Sequence, residues 1–401
     1  MGIKERHYGT MSIGVRAPII REGDDLVDIV TKSVSDAVED LGMDLYDKDV
    51  IAITESIVAR ASGNYATVDD IAKDVHEKFG DNTVGVIFPI LSRNRFAICL
   101  RGIAKGCKKI VLMLSYPSDE VGNKLVSDEV FYSTDANTSY TLTEGGFKSL
   151  YGESKHEFTG VNYITYYKEL IEGCGCECEV IFSNNPKAIL DFTKCVLTCD
   201  IHTRNNTKKL LTEAGAVVYG LDDILTKPMS ENGGYNDKYG LLGSNKSTEE
   251  KIKLFPRTEV CEVLVRDVAE RLFNQTGAMV QVMVYGDGAF KDPVGKIWEL
   301  ADPVVSPAYT AGLNGTPNEL KLKYLADNDY ADLSGDELKE AIQARIVTKE
   351  SNLVGQMATQ GTTPRQLTDL LGSLSDLTSG SGDKGTPIVL IKGYFDNYTN
   401  N

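Results

Sequence analysis

Between Val280 and Tyr285 the chain alternates: Val280, Val282 and Val284 lie on one side, Gln281, Met283 and Tyr285 on the other. That period of two predicts a pleated strand. It runs straight into Gly286-Asp287-Gly288, with Lys291-Asp292-Pro293 close behind. Short apolar runs predict buried strands at Val50–Thr54, Lys109–Ser115 and Ile388–Lys392. Apolar residues at helical spacing follow Asp24-Asp25, which can cap a helix. Thr67 is placed to cap a short helix in "TVDDIAKDVHEKFG". "RTEVCEVLVRDVAERLFNQTG" reads as an amphipathic helix stopped by Gly277. A later helix has Ser334 as its cap and Glu337 as its capping-box acid, and another has Pro364 in its first turn.

From about Asn162 to Leu225 strands and helices alternate, which predicts an α/β module. A long Gly/Asn-rich stretch, "TKPMSENGGYNDKYGLLGSNKSTEEKIKLFP", follows. Loops of that length are usually functional or disordered. At 401 residues the chain exceeds one simple core, and two or three domains are expected.

Charge narrows the function classes. Lys+Arg 42 against Asp+Glu 58 leaves a net charge of −16. Such a chain repels a phosphate backbone, so no nucleic-acid partner is expected. No apolar run approaches a membrane span, and "MGIKERHYGTMSIG" lacks the apolar core of a signal peptide. The expectation is a cytoplasmic protein without a membrane partner. In that setting the eight cysteines read as reduced thiols. "GCGCECEV" and "CVLTCDIH" invite a zinc or thiol reading over Cys174 to Cys199, but the cysteines are too closely spaced for a common zinc site.

Three loops combine small residues with charge: Gly286-Asp287-Gly288 with Lys291 and Asp292, Ser379-Gly380-Ser381-Gly382-Asp383-Lys384-Gly385, and Gly243-Ser244-Asn245-Lys246-Ser247-Thr248. Glycine lets a backbone approach a phosphate, lysine adds charge, and aspartate at a strand end can hold Mg²⁺ or Mn²⁺. None has Walker A spacing. The Asp-Gly pair is also a strong hairpin-turn signal, and both readings of that stretch stand open. A fourth candidate is "CDIHTR", where Asp200, His202 and Arg204 would share one face of an extended strand end. Arg60, in "TESIVARASGN", lies near another strand end. There is neither a G-x-S-x-G elbow nor an H-E-x-x-H helix.

"IREGDDL", "DKDVIAITESIVARASGN", "VMVYGDGAF" and the closing "SGSGDKGTPIVLIKGY" occur in that order. Together they resemble the gamma-glutamyl ligase family that adds L-glutamate to the precursor of the deazaflavin coenzyme F-420. The middle, about 105–253, is longer than in the family and lacks its "G-I-D-x-S-N" segment. The resemblance implies an α+β fold of ligase-like mixed sheets, with an inserted α/β module. The parts would be 1–104 and 254–401 for the ligase-like domain and 105–253 for the insertion. It implies a homodimer acting on L-glutamate and a small-molecule carboxylate acceptor. It also implies GTP, or ATP, with Mg²⁺ or Mn²⁺.

On that reading Asp287 is a metal ligand at the centre of catalysis. Lys384 acts with it, and Gly382 and Asp383 line the nucleotide or acceptor phosphate. Arg60, Gly286, Gly288 and Lys291 complete the cofactor site. His202 and Arg204, with Asp200 as a second metal ligand, rest on the strand-end pattern alone. The alternative is a non-catalytic sensor of a phosphorylated metabolite on the same fold.

Overall fold

The computed structural model describes residues 7–93, 95–134, 138–156, 160–286, 289–291, 298–300, 305–359, 365–379 and 383–399. It is a mixed α and β protein with two main sheets.

The first sheet has five strands. In spatial order they are Met11–Val15, Ile388–Lys392, Val50–Thr54, Gln281–Gly286 and Val305–Tyr309. Val50–Thr54 and Gln281–Gly286 run parallel, with Thr54 opposite Tyr285. Ile388–Lys392 is antiparallel to both of its neighbours. The three central strands are buried on both faces; Val50–Thr54 and Ile388–Lys392 accordingly read as apolar runs, whereas Gln281–Gly286 keeps its alternation of valine with Gln281, Met283 and Tyr285. One face packs on helices Leu26–Leu41 and Thr258–Thr276 through Val30, Val34, Leu264 and Val268. The other packs on Leu367–Ser379 through Leu367 and Leu371.

Helix ends follow the chemistry of their caps. Asp25 accepts from the Asp28 N–H at 3.0 Å, Thr67 forms a capping box with Asp70, and Gly277 takes the left-handed conformation. Ser334 opens the helix Gly335–Val347 but makes no side-chain cap bond, so the expected box with Glu337 does not form there.

The second sheet has six strands in the order Leu142–Thr143, Glu177–Phe182, Lys109–Leu114, Val84–Ile87, Cys195–Thr198 and Val217–Gly220. All neighbours are parallel except at the short Leu142–Thr143 edge. Helices Arg95–Lys105 and Tyr163–Gly173 join the core on one face. The turn Pro186–Asp191 and helix Arg204–Glu213 cover the other.

This unit begins well before residue 105. Its central strand is Val84–Ile87, and Tyr65–Thr67 pairs antiparallel with Lys251–Lys253 where the chain enters and leaves it. The four-residue strand is short and carries a glycine, so it gives little periodicity to read.

Among the described residues no helix is long and apolar enough to cross a membrane.

Candidate functional site

The carboxyl ends of Val50–Thr54 and Gln281–Gly286 share one edge of the five-stranded sheet, because the strands are parallel neighbours. Ile388–Lys392 runs the other way, so it begins at that edge. The Thr54 N–H donates to Pro387 O at 3.0 Å, and the Ala17 N–H to Gly385 O at 3.1 Å. Pro387 therefore stands beside Thr54, and Gly385, which follows the exposed Asp383 and Lys384, beside Ala17. Thr386 Oγ1 donates to Ser379 O at 2.9 Å, and the Tyr285 hydroxyl donates to Ser379 Oγ at 3.1 Å. These bonds tie the start and finish of the Gly-rich loop to the end of the central strand.

Gly286 is the pivot of the edge. A methyl group there would meet Glu55 Cγ at 2.6 Å and Phe255 Cζ at 2.8 Å. The opposite edge of the Phe255 ring abuts Gly243, where a methyl would lie 1.9 Å from Cε2. Two of the three loops singled out by sequence thus meet one buried ring, and the third borders the same strand ends.

Glu55, only 7% exposed, begins the helix Glu55–Ala61. Lys253 Nζ lies 3.7 Å from its Oε1 and donates to Ser56 Oγ at 2.5 Å. Burial pushes up the Tyr285 phenol and the Cys261 thiol, and the negative charge of Glu55 adds to both effects. Arg60 is exposed at the far end of the same helix.

The Gly/Asn-rich stretch is ordered by two buried asparagines. Asn64 Nδ2 donates to Phe255 O at 2.6 Å and to Tyr235 O at 3.1 Å, while its Oδ1 accepts from the Tyr235 N–H at 3.2 Å. Asn236 Nδ2 donates to Pro256 O at 2.8 Å, and its Oδ1 accepts from the Lys238 and Tyr239 N–H groups. Each bond satisfies a backbone group that burial would otherwise strand.

Asp287, Gly288 and Gly382 fall outside the described residues, and Lys291 is described only as part of the two-stranded ladder Ala289–Lys291 with Trp298–Leu300. That ladder is joined through 292–297.

Asp200, His202 and Arg204 belong to the other sheet. The extended strand stops at Thr198, so the three do not share a strand face. Asp200 is buried, and its carboxylate accepts from the hydroxyls of Thr198, Thr203 and Thr207. Arg204 opens a helix and donates to Asp222 Oδ2 at 3.3 Å and to Ile201 O. His202 is exposed, and its N–H donates to Glu120 Oε2 at 3.1 Å. Ile201 N–H donates to the other Glu120 oxygen. Glu120 is an exposed residue whose carboxylate turns in under these amides. Burial of that carboxylate, with Asp200 and Asp119 adding, pushes it up to about 7.

Among the described residues, no group of three or more His, Cys, Asp or Glu is arranged to hold a metal ion. Those residues alone do not fit a divalent cation, so no step is derived through one. All eight cysteines are free thiols. Burial pushes Cys107 and Cys178 up to about 12, the opposite of what a thiolate ligand needs.

Sequence reasoning did not pick out Lys253, Phe255, Asn64 or Asn236. "KIKLF" held a signal for the first, because alternation puts Lys251 and Lys253 on one face of a strand.

The order of sequence blocks along both ends of the chain has a counterpart in known proteins. The model of the F420-0:Gamma-glutamyl ligase family matches residues 14–393. The chain belongs to that family. The match takes in the whole six-stranded unit, the five-stranded sheet apart from residues 11–13, and every described candidate residue. No curated protein matches the chain. Among solved structures it is similar to eIF2B beta from Chaetomium thermophilum, at 10% identity and a TM-score of 0.21. That similarity covers 38% of this chain and 40% of that one, and it carries no argument about fold or function.

Proposed function

We propose that this family member is an acid–amino-acid ligase. It joins the amine of L-glutamate, or a similar amino acid, to a carboxylate acceptor activated as an acyl phosphate, with GTP or ATP as phosphoryl donor. The family match along residues 14–393 carries this reading. Its chemistry follows from the substrates a gamma-glutamyl ligase joins. A carboxylate is a poor electrophile, so its oxygen must first become a leaving group. Fixed cations and backbone N–H groups then stabilise the charge that develops on the phosphoryl oxygens.

The chain offers suitable groups at the edge built around Gly286. Lys253 is a cation held in place by Ser56 and Glu55. Lys384 and Arg60 are exposed cations that can follow a phosphate, and Asp383 lies beside Lys384. Gly286 lets Glu55 and Phe255 pack directly against the backbone at that edge. By the resemblance, Asp287 is our assignment for a ligand to Mg²⁺ or Mn²⁺, and the active form is a homodimer.

Thermal unfolding of the full chain with GTP and with ATP, each with and without Mg²⁺ or Mn²⁺, tests the reading. A nucleotide at 100 times its Kd stabilises the native state by about 2.7 kcal/mol. A shift, followed by glutamate-dependent release of phosphate on an acceptor panel, supports the ligase. Lys253→Met then reduces turnover while the fold survives. Failure of every nucleotide to shift the midpoint overturns the proposal. Binding without turnover on any acceptor would favour the sensor instead.

A further inference from the structure

The edge of the five-stranded sheet opposite Gly286 holds a cavity of about 200 Å³. Ile388–Lys392 ends there, beside the starts of Met11–Val15 and Val50–Thr54, with Met11 opposite Lys392 and Val50 opposite Ile391. Tyr8, Met11, Tyr46 and Phe395 give the cavity apolar and aromatic walls, and Tyr8 and Tyr46 are both exposed. Its two deeply buried lining residues are charged: Asp49, 3% exposed, and Lys392.

That buried pair is satisfied unevenly. Lys392 donates to Asp49 Oδ2 and to Asp44 O at 2.7 Å, and its Nζ faces the Tyr46 ring, 4.8 Å from the centroid. Asp49 Oδ2 accepts a second bond, from the Tyr46 N–H at 2.8 Å. Asp49 Oδ1 accepts no hydrogen bond among the described residues. It is not one of the sealed polar atoms that lack a partner there, so open space remains in front of it, and the cavity is the space that Asp49 lines. A carboxylate oxygen this deep in the protein, stripped of most of its water, is a strong acceptor for whatever donor enters.

The surrounding charge selects the donor. The lining carries three carboxylates, Asp47, Asp49 and Asp396, against two ammoniums, Lys48 and Lys392, and Lys392 is already committed. An anion is repelled and a cation attracted. Aromatic faces attract a cation as well, and they cover the alkyl stem behind it. We infer that this cavity is a second small-molecule site, which takes a primary ammonium on a short apolar stem. The ammonium donates to Asp49 Oδ1 and the stem lies between the tyrosine and phenylalanine walls. The site is on the far edge from Gly286, so it stands whether or not that edge is a ligase.

Ligand-observed NMR and calorimetry on the full chain test it with n-butylammonium chloride at matched ionic strength. The comparisons are n-butanol, its neutral isostere, and tetramethylammonium, a cation with no N–H. n-Butylammonium should bind with a Kd of about 1 mM or tighter, and each comparison roughly tenfold or more weaker. Tyr46→Ala, which removes an exposed ring, should weaken the ammonium by roughly fivefold. Asp49→Leu with Lys392→Met removes the acceptor together with its buried counter-charge and should abolish saturable binding. N-acetyl-lysine methylamide run beside n-butylammonium separates the two sources of this chemistry. Whichever binds more tightly identifies the ligand as a lysine side chain or as a free amine. Absence of saturable n-butylammonium binding overturns the inference. So does n-butanol or tetramethylammonium binding as tightly as n-butylammonium, or undiminished binding in Tyr46→Ala and in the folded double variant.

Discussion

Gly286→Ala adds one methyl at a confined point of the sheet edge where Val50–Thr54 and Gln281–Gly286 end. The added carbon would sit 2.6 Å from Glu55 Cγ and 2.8 Å from Phe255 Cζ. Carbon atoms rest about 3.5–4.0 Å apart, so something must move by roughly an ångström. Phe255 cannot swing away, because its far edge already abuts Gly243 in a left-handed turn at φ +79. Glu55 cannot swing freely either, since it is buried beside Lys253. Overpacking of this kind costs about 1–3 kcal/mol. Gly14→Ala, on the same edge, is the control. The nearest atoms its methyl would meet belong to the Thr386 side chain, at 3.1 Å, and the change should stay within about 0.5 kcal/mol. Urea unfolding of both variants gives the comparison directly. Gly286→Ala should have the lower midpoint at an unchanged slope, and it should lose nucleotide-induced stabilisation with Phe255 displaced. Equal midpoints for the two variants would refute the packing argument.

Lys392, 5% exposed, donates to Asp49 and to Asp44 O at 2.7 Å and lies over the Tyr46 ring. Lys392→Met should cost about 3–5 kcal/mol by stranding a buried carboxylate, whereas Asp49→Leu with Lys392→Met should recover much of it in the same unfolding assay. Glu120, raised from 4.5 to about 7, holds a proton in the native state that the unfolded chain has released across that interval. Stability should therefore fall as pH rises from 4.5 to 7, and Glu120→Gln should flatten that slope in a melting profile. Cys99 and Cys176 are pushed up to about 11 by burial, and Cys107 and Cys178 to about 12. All four should react with a thiol reagent near pH 8 far more slowly in the native chain than in denaturant, as absorbance of the released chromophore will show.

Much of the fold was legible because burial leaves plain marks. Val50–Thr54 and Ile388–Lys392 are unbroken apolar runs, and both are central strands. Asp25, Thr67 and Gly277 act at helix ends through local bonds and local backbone angles, which depend on few distant residues. Val84–Ile87 escaped because four residues with an internal glycine carry no period. The partnership of Gly286 and Gly243 across Phe255 was partly visible as two similar loops, but their meeting depends on residues far apart in the chain. Asp200 misled for the reverse reason. Its alternation with His202 and Arg204 presumes an extended backbone, while the threonines at 198, 203 and 207 offer hydroxyls that bend the chain around it.

The position of Ile388–Lys392 has a consequence for biosynthesis. It lies between Met11–Val15 and Val50–Thr54, so the earliest two strands of that sheet have no direct contact in the ladder. They cannot complete their pairing until residues 388–392 have left the ribosome. The doubly wound unit, whose strands all lie between residues 84 and 220, can form while synthesis continues. During that interval the apolar edges of Met11–Val15 and Val50–Thr54 are exposed to other chains. A stop codon a few residues before 388 would leave the embedded unit foldable and the enclosing sheet open, which makes such truncations aggregation-prone rather than merely inactive.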